Sequence, residues 1–213
     1  VDINDDILSL KLNNFTFTKL DITSENEVFS FYNNIISNFE NIYGLINNAG
    51  VAVFSPFEER NYDELLYVTK VNSFAPIFMT QGFIKVAKKD LNPSIINIAS
   101  IYGIKAPDQS LYIDTPRNSS EIYGMSKAGI INLTKYLSVY LSKYNIRCNC
   151  ISPGGVLFKQ GPEFIKNYSE KVPLNRMAQV NEIVGSIKFL LDSNSSSYVN
   201  GANISIDGGF TSW

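Results

Sequence analysis

The sequence contains no histidine, only two cysteines and no uninterrupted apolar run of membrane-spanning length. Without histidine, Ser-His-Asp and Cys-His nucleophile systems and imidazole zinc sites are excluded, so no metal is expected. Acid-base chemistry must therefore use tyrosine, lysine or carboxylate side chains. The first six residues carry three aspartates and no basic residue, unlike a secretory signal, so no leader and no membrane partner are expected.

Charged residues are also few, and the two signs nearly cancel. The 213 residues include 18 Lys+Arg and 20 Asp+Glu, and 45% of them are hydrophobic. This balance argues against a nucleic-acid partner, and the length fits one globular domain over residues 1–213. Cys148 and Cys150 are interpreted as small core residues in a reducing compartment rather than a disulfide, which predicts a cytoplasmic protein.

Apolar periodicity alternates between strand and helix along the chain. Because parallel strands need helical crossovers, this alternation predicts a doubly wound, mostly parallel Rossmann-like α/β sheet with helices on both faces. The Gly/Pro/Ser-rich segments 104–120 and 153–162 follow strands, where ligand-binding loops of such sheets lie. Strands are predicted at 15–20, 42–46, 94–99, 146–151 and 202–206, and helices at 25–39, 61–88, 121–144 and 181–191.

Tyr123 and Lys127 lie four residues apart, which places a phenol and an ammonium on one face of a predicted helix. About one such pair is expected by chance in this composition, so the pair alone indicates little. Other motifs accompany it in order along the chain. They are Asn47-Asn48-Ala49-Gly50, Asn72, Ser100 after the third strand, Pro153-Gly154-Gly155-Val156 and Ile206-Asp207-Gly208-Gly209.

Together these motifs resemble those of the short-chain dehydrogenase/reductase family over nearly the whole chain. The resemblance implies that Tyr123 is the acid/base and that Lys127 is its partner and a nicotinamide-ribose ligand. It likewise implies that Ser100 donates to the substrate oxygen and that Asn72 belongs to a proton relay. The implied function is hydride transfer between a nicotinamide cofactor and a secondary alcohol or ketone, with a small-molecule substrate.

The same resemblance assigns cofactor contacts. Asp21 and Ile22 are expected near the adenine, Asn48, Ala49 and Gly50 along the cofactor cleft, and the backbone of Pro153, Gly154 and Val156 at the nicotinamide carboxamide. Asp2 is the acidic residue expected at the adenosine ribose. Its carboxylate accepts from a 2′-hydroxyl and repels a 2′-phosphate, which favours NAD over NADP. An exposed aspartate without this role is the alternative.

Two physical expectations concern the phenol and a proline. A phenol must lose about 3 pKa units to act as a base near neutrality, and an ammonium about 4 Å away supplies roughly that much. Lys127 is therefore expected to lower the pKa of Tyr123.

Pro76 cannot donate to the carbonyl of Asn72, so a kink is expected in the helix there. The freed carbonyl either holds a relay water or has no further role.

Three departures from the family pattern stand out. No Gly-rich phosphate loop occurs, so about 30 to 40 residues of a first strand, loop and helix are expected upstream, and the domain is expected to be N-terminally incomplete. Ser100 and Tyr123 are 23 positions apart, a long spacing that predicts an insertion over the site. The third is Phe158, which stands where many relatives have a threonine near the cofactor.

The insertion carries Tyr112, Asp114 and Arg117, which suit a polar, sugar-like substrate, unless the segment is only a solvated loop. It is similar to oxidoreductases linked to bacterial surface-sugar and flagellin modification. Two alternatives to the oxidoreductase stay open: a non-catalytic or truncated family member acting through assembly, and a lyase or epimerase with the same site. The long helices at 61–88 and 121–144 are expected to pair in a homo-oligomer, a dimer or tetramer.

Overall fold

The structure, a computed structural model, describes residues 1–4, 14–112 and 118–213. Its central feature is a parallel sheet with the strand order β1-β2-β3-β4. The strands are β1 (Gly44–Asn47), β2 (Ser94–Ile98), β3 (Arg147–Pro153) and β4 (Asn203–Ile206). The inner strands β2 and β3 are buried along nearly their whole length, as expected for parallel strands covered on both faces.

Seven α-helices occur in the described part of the chain. They are α1 (Glu25–Ile35), α2 (Tyr62–Thr69), α3 (Ala75–Val86), α4 (Glu121–Tyr140), α5 (Pro162–Glu170), α6 (Val180–Leu191) and α7 (Ser193–Ser196). Within the described ranges, no helix combines the length and the apolarity needed to cross a bilayer.

Helices cover both faces of the sheet. On one face, Val28 of α1, Phe83 of α3 and Leu137 of α4 pack in a cluster with Ile95 of β2. On the other face, Leu190 of α6 packs with buried isoleucines of β2 and β3. The predicted doubly wound α/β fold is therefore confirmed. Both cysteines are fully buried free thiols on β3, as the sequence predicted.

The predicted strand at 15–20 is wrong. Among the described residues, this segment pairs only through one parallel bridge between Lys19 and Asp2. A strand needs a ladder of partners, and a β-rich pattern alone cannot supply one. Between that bridge and β1 lies a groove of about 290 Å³, which we call the β1 groove.

The long helix predicted at 61–88 is present in two parts. A π-helical turn, Lys70–Phe74, joins α2 to α3, and in it the N–H of Ala75 donates to the carbonyl of Lys70, five residues back. Pro76 then occupies the first turn of α3, where a missing N–H costs little. The structure thus accommodates Pro76 by widening the turn before it, while a water on the Asn72 carbonyl stays a prediction.

Candidate active site

The carboxyl ends of the parallel strands meet at one edge of the sheet. Ser100 follows β2, Pro153 ends β3 and Gly50 follows β1. All three line a cavity of about 360 Å³, which we call the central cavity, and Tyr123 lines it from the first turn of α4. This is the edge at which open α/β sheets bind ligands.

Tyr123 and Ser100 both line the central cavity, and their hydroxyl groups are close enough for Ser100 to influence the ionisation of the phenol. The Ser100 Oγ also accepts a 3.2 Å hydrogen bond from the N–H of Tyr102, which fixes its direction at the end of β2. Gly103 allows this turn to approach α4, because a Cβ there would lie 2.7 Å from the carbonyl carbon of Lys127. Two hydroxyls therefore lie close together at the wall of the central cavity.

Lys127 is buried beside this pair, with 5% of its surface exposed. Its Nζ donates a 2.7 Å hydrogen bond to the carbonyl of Ile98 and lies 5.7 Å from the ring centroid of Tyr123. Burial lowers the pKa of Lys127 to about 8. The ammonium is thus held by the end of β2, within reach of the Tyr123 ring.

The prediction that Lys127 lowers the pKa of Tyr123 is wrong for the protein without a bound cofactor. Burial raises the pKa of Tyr123, the hydrogen bond with Ser100 opposes that rise, and Tyr112 adds to it. Desolvation penalises the phenolate, and the Lys127 ammonium is engaged by the Ile98 carbonyl rather than by the hydroxyl. Tyr123 is therefore a protonated phenol near neutral pH.

Asn72 is 1% exposed and lies in the π-helical turn. Its Oδ1 accepts from the N–H of Val51 at 2.8 Å, and its Nδ2 donates to the Val51 carbonyl at 2.9 Å and to Ser126 Oγ at 3.0 Å. Ser126 in turn donates to the carbonyl of Tyr123 at 2.8 Å. Asn72 thus ties the loop after β1 to α4, and Ser126 is a positioning residue that the sequence analysis missed.

The residues expected at the adenosine end are mostly brought together. Asp2, Ile22, Asn48 and Ala49 all line the β1 groove. Asp21 is the exception, because its Oδ1 accepts from the N–H and the hydroxyl of Thr23, at 2.9 and 2.7 Å, and so closes the turn before α1.

Gly50 stands between the β1 groove and the central cavity. A Cβ at this position would lie 3.3 Å from Lys127 Nζ and 3.6 Å from Asn72 Oδ1. Because Ala49 lines one space and Gly50 the other, the two spaces adjoin at this glycine. A side chain here would crowd the Lys127 ammonium, so this position between the two spaces suits glycine.

The backbone of the segment after β3 is partly engaged within the protein. The N–H of Gly154 donates to the Ile206 carbonyl, and the N–H of Gly155 donates to the Tyr168 hydroxyl at 2.6 Å. The Val156 carbonyl accepts a 2.9 Å hydrogen bond from the side-chain amide of Gln160. Of the backbone groups expected to meet a carboxamide, the Val156 carbonyl therefore already accepts from a side-chain amide, that of Gln160.

Tyr112, which the sequence analysis placed near the substrate, lines the central cavity, and so do several residues that it did not predict, such as Tyr102 and Phe164. The hydroxyls of Tyr102 and Tyr112 are 3.0 Å apart, and Tyr112 also packs on Phe164 of α5 with ring centroids 5.5 Å apart. In the described part of the insertion, Leu111 is buried and Tyr112 is packed, whereas Lys105, Gln109 and Ser110 are exposed. Asp114 and Arg117 lie outside the described residues. Further unpredicted lining residues are Val51, Ala52, Phe54, Ile101, Ser119, Ser120, Gln160, Tyr168 and Met177.

A helical repeat could have signalled part of this wall, because Phe164 and Tyr168 are four residues apart on α5. Phe158, by contrast, is exposed, and its N–H donates to Gln160 Oε1. Among the residues that the structure describes, no group of three or more His, Cys, Asp or Glu side chains could hold a metal ion.

Comparison with known proteins places this site in context. A family model described as enoyl-(acyl carrier protein) reductase matches residues 7–211. The D-arabinitol 2-dehydrogenase (ribulose-forming) of Candida tropicalis is 35% identical over 177 residues, covering 79% of this chain and 60% of the relative. The chain thus spans less than two thirds of that relative's length.

Two further relatives cover more of their own length. The NADH-dependent L-xylulose reductase of Ambrosiozyma monospora is 31% identical, over 91% of this chain and 72% of the relative. The post-translational flagellin modification protein A of Campylobacter coli is 30% identical, over 90% of this chain and 76% of the relative. The predicted resemblance to flagellin-modification proteins is thereby confirmed.

A solved structure agrees with the fold. The short-chain dehydrogenase from Leptospira borgpetersenii serovar Hardjo-bovis with bound NAD+ superposes with a TM-score of 0.87 at 41% identity. The match covers 94% of this chain and 77% of that chain. With a family model that matches nearly the whole chain, the chain belongs to the short-chain dehydrogenase/reductase family.

Proposed function

We propose that this chain transfers a hydride between NAD and a secondary alcohol or ketone of a polyhydroxy, sugar-like substrate. The observation that carries the proposal is that Tyr123 and Ser100 line one cavity, with the buried Lys127 beside them, next to the β1 groove. The relatives named as arabinitol dehydrogenase and xylulose reductase support the substrate class.

Three side chains have separate roles at the reacting oxygen of the substrate. A bound nicotinamide supplies the hydride acceptor for alcohol oxidation and the hydride donor for ketone reduction. The hydroxyls of Ser100 and Tyr123 hold the substrate oxygen by hydrogen bonds, and Tyr123 gives that oxygen a proton in reduction and removes it in oxidation. The Lys127 ammonium stabilises the phenolate that oxidation requires.

The residues present fit a dinucleotide. The β1 groove and the central cavity adjoin at Gly50, whose missing side chain keeps the passage open between Lys127 and Asn72. Asn48 and Ala49 would border the cofactor along the groove, Lys127 would meet its ribose, and Val156 would meet its carboxamide. The carboxylate of Asp2 borders the groove and favours a ribose 2′-hydroxyl over a 2′-phosphate, which supports NAD.

Incubation of the full chain with D-arabinitol and NAD+ tests the proposed function. We expect the nicotinamide absorbance of the reduced cofactor to grow in step with the ketose formed. A lyase or epimerase would convert substrate without net cofactor consumption, and a non-catalytic protein would bind NAD without converting any polyol. Either result rejects hydride transfer as the net reaction.

We also propose that the chain forms a homo-oligomer through α3 and α4. Apolar side chains are exposed along these helices, with Ile77 at 37%, Tyr136 at 60% and Val139 at 77%. Exposed apolar patches of this kind mark association surfaces. Sedimentation analysis should give a dimer or tetramer that Val139→Glu dissociates, and a monomeric wild-type protein would reject the proposal.

A further inference from the structure

The hydroxyl of Ser120 lacks a hydrogen-bond partner. Ser120 immediately precedes α4, is 2% exposed, and its Oγ makes no hydrogen bond. A serine at this position usually accepts a hydrogen bond from a backbone N–H of the first helical turn, which the Oγ does not do here. Since burying an unpaired hydroxyl lowers the stability of the fold, its presence calls for a reason.

The position of Ser120 supplies that reason. Ser120 lines the central cavity three residues before Tyr123, and it also lines an adjoining cavity of about 600 Å³, which we call the outer cavity. Tyr102 and Ser119 line both spaces as well. The residue that carries the unpaired hydroxyl therefore borders the space into which a substrate held by Tyr123 and Ser100 would extend, away from the reacting carbon.

The other buried polar atoms without a partner in the described part of the chain lie elsewhere. Thr80 Oγ1 belongs to α3 and borders the groove between α3 and α4. Arg147 Nε belongs to a guanidinium whose other two nitrogens donate to the carbonyls of Val199 and Leu190. Neither residue lines the central cavity, so among the described residues only Ser120 combines an unmet hydrogen bond with a place in the site.

We propose that Ser120 is a specificity-determining residue whose Oγ hydrogen-bonds a second hydroxyl of the substrate, on a carbon beyond the one that is oxidised. This inference rests on the proposed function and narrows its substrate class to compounds with more than one hydroxyl. A site built to hydrogen-bond a substrate hydroxyl discriminates against analogues that lack it, because its own polar group is then left unpaired. A polyol supplies that hydroxyl, and a simple secondary alcohol does not.

Steady-state kinetics of Ser120→Ala with D-arabinitol and with cyclopentanol test the proposal. We expect the KM for D-arabinitol to rise about 10-fold with little change in kcat, because uniform binding is lost. The kinetics with cyclopentanol should stay as in the wild type. The Tm should stay equal or rise, because the variant removes a buried hydroxyl that bonds to nothing.

Thr80→Val is the matched control, since it removes the other buried unpartnered hydroxyl outside the central cavity. This variant should leave the ratio of kcat/KM for D-arabinitol to kcat/KM for cyclopentanol unchanged. An equal loss on both substrates, or a lower Tm in Ser120→Ala, would show a structural role and overturn the proposal. Unchanged kinetics on both substrates would also overturn it.

Failure of the proposed function gives a different result. If the wild-type chain oxidises neither alcohol, the proposed function is rejected, and the assignment of Ser120 to a substrate hydroxyl is rejected with it. If the wild type oxidises cyclopentanol but not D-arabinitol, hydride transfer stands and the assignment of Ser120 to a polyol hydroxyl is overturned.

Discussion

Lys127 Nζ donates a 2.7 Å hydrogen bond to the carbonyl oxygen of Ile98, the last residue of β2. The bond places an ammonium at the carboxyl end of the sheet, where only 5% of the residue is exposed. A buried ammonium costs stability, so this residue is present for its effect on the site rather than for the fold.

Lys127→Met should abolish turnover and make the protein more stable near neutral pH. The pKa of Lys127 is about 8 in the folded protein against an ordinary 10.5, and the charged form is penalised by burial. The pKa gap corresponds to about 3 kcal/mol, and loss of the Ile98 hydrogen bond offsets part of it. We expect the free energy of unfolding near pH 7 to rise by about 2 kcal/mol, measured by urea titration.

The sign of this effect depends on pH. Between pH 8 and 10.5 the unfolded wild-type chain binds more protons than the folded chain, so wild-type stability rises with pH across that window. The advantage of Lys127→Met should shrink there. A stability gap between the two proteins that does not change with pH would contradict a depressed pKa.

Gly103→Ala should separate Ser100 from Tyr123. A Cβ at Gly103 would lie 2.7 Å from the backbone of Lys127, so the turn after β2 must move away from α4. We expect kcat to fall at least about 10-fold and stability to fall by about 1–3 kcal/mol. Gly129→Ala on α4 is the control, because nothing lies within 4 Å of a Cβ at that position. It should keep kcat and gain up to about 1 kcal/mol from helix propensity.

Alcohol oxidation should accelerate with pH below the pKa of Lys127. Burial raises the pKa of Tyr123, so near neutrality the phenol is protonated and is ready as an acid but not as a base. The kcat for oxidation should rise from about pH 6 to about pH 8, while that for reduction should stay nearly flat. Stopped-flow or steady-state rates in both directions check this. An oxidation rate that falls over this range would contradict the assigned role.

Asp2→Asn should relax the preference for NAD over NADP about 10-fold, because the carboxylate at the β1 groove no longer repels a 2′-phosphate. The ratio of kcat/KM for the two cofactors measures the effect. Glu25→Gln removes an equal charge from the first turn of α1 and should leave the ratio unchanged. An equal shift in both variants would show a general charge effect instead.

Much of the candidate site was predictable because helical and parallel-sheet geometry fix it locally. The spacing of Tyr123 and Lys127 places them on one side of α4, and the ends of parallel strands bring Gly50, Ser100 and Pro153 to one edge. The fold class followed from the same alternation of strand and helix.

The remainder depends on partners that are distant in sequence. The segment around Lys19 is the structural example. Its sequence pattern is typical of a strand, but in the described residues it has a single bridge partner, Asp2. Tyr123 shows it for chemistry, since burial by surrounding segments raises the pKa of its phenol. The unmet hydroxyl of Ser120 could not be predicted either, because an N-cap serine normally satisfies itself.

Tyr123→Phe tests the central claim most directly, with NAD+ binding and D-arabinitol oxidation measured on the same preparation. The variant keeps the ring and loses only the hydroxyl, which lies beside Ser100 at the wall of the central cavity. We expect turnover to fall by at least about 1,000-fold while the Kd for NAD+ changes less than about threefold. Turnover retained within about 10-fold of the wild type would show that another group transfers the proton and would contradict the account.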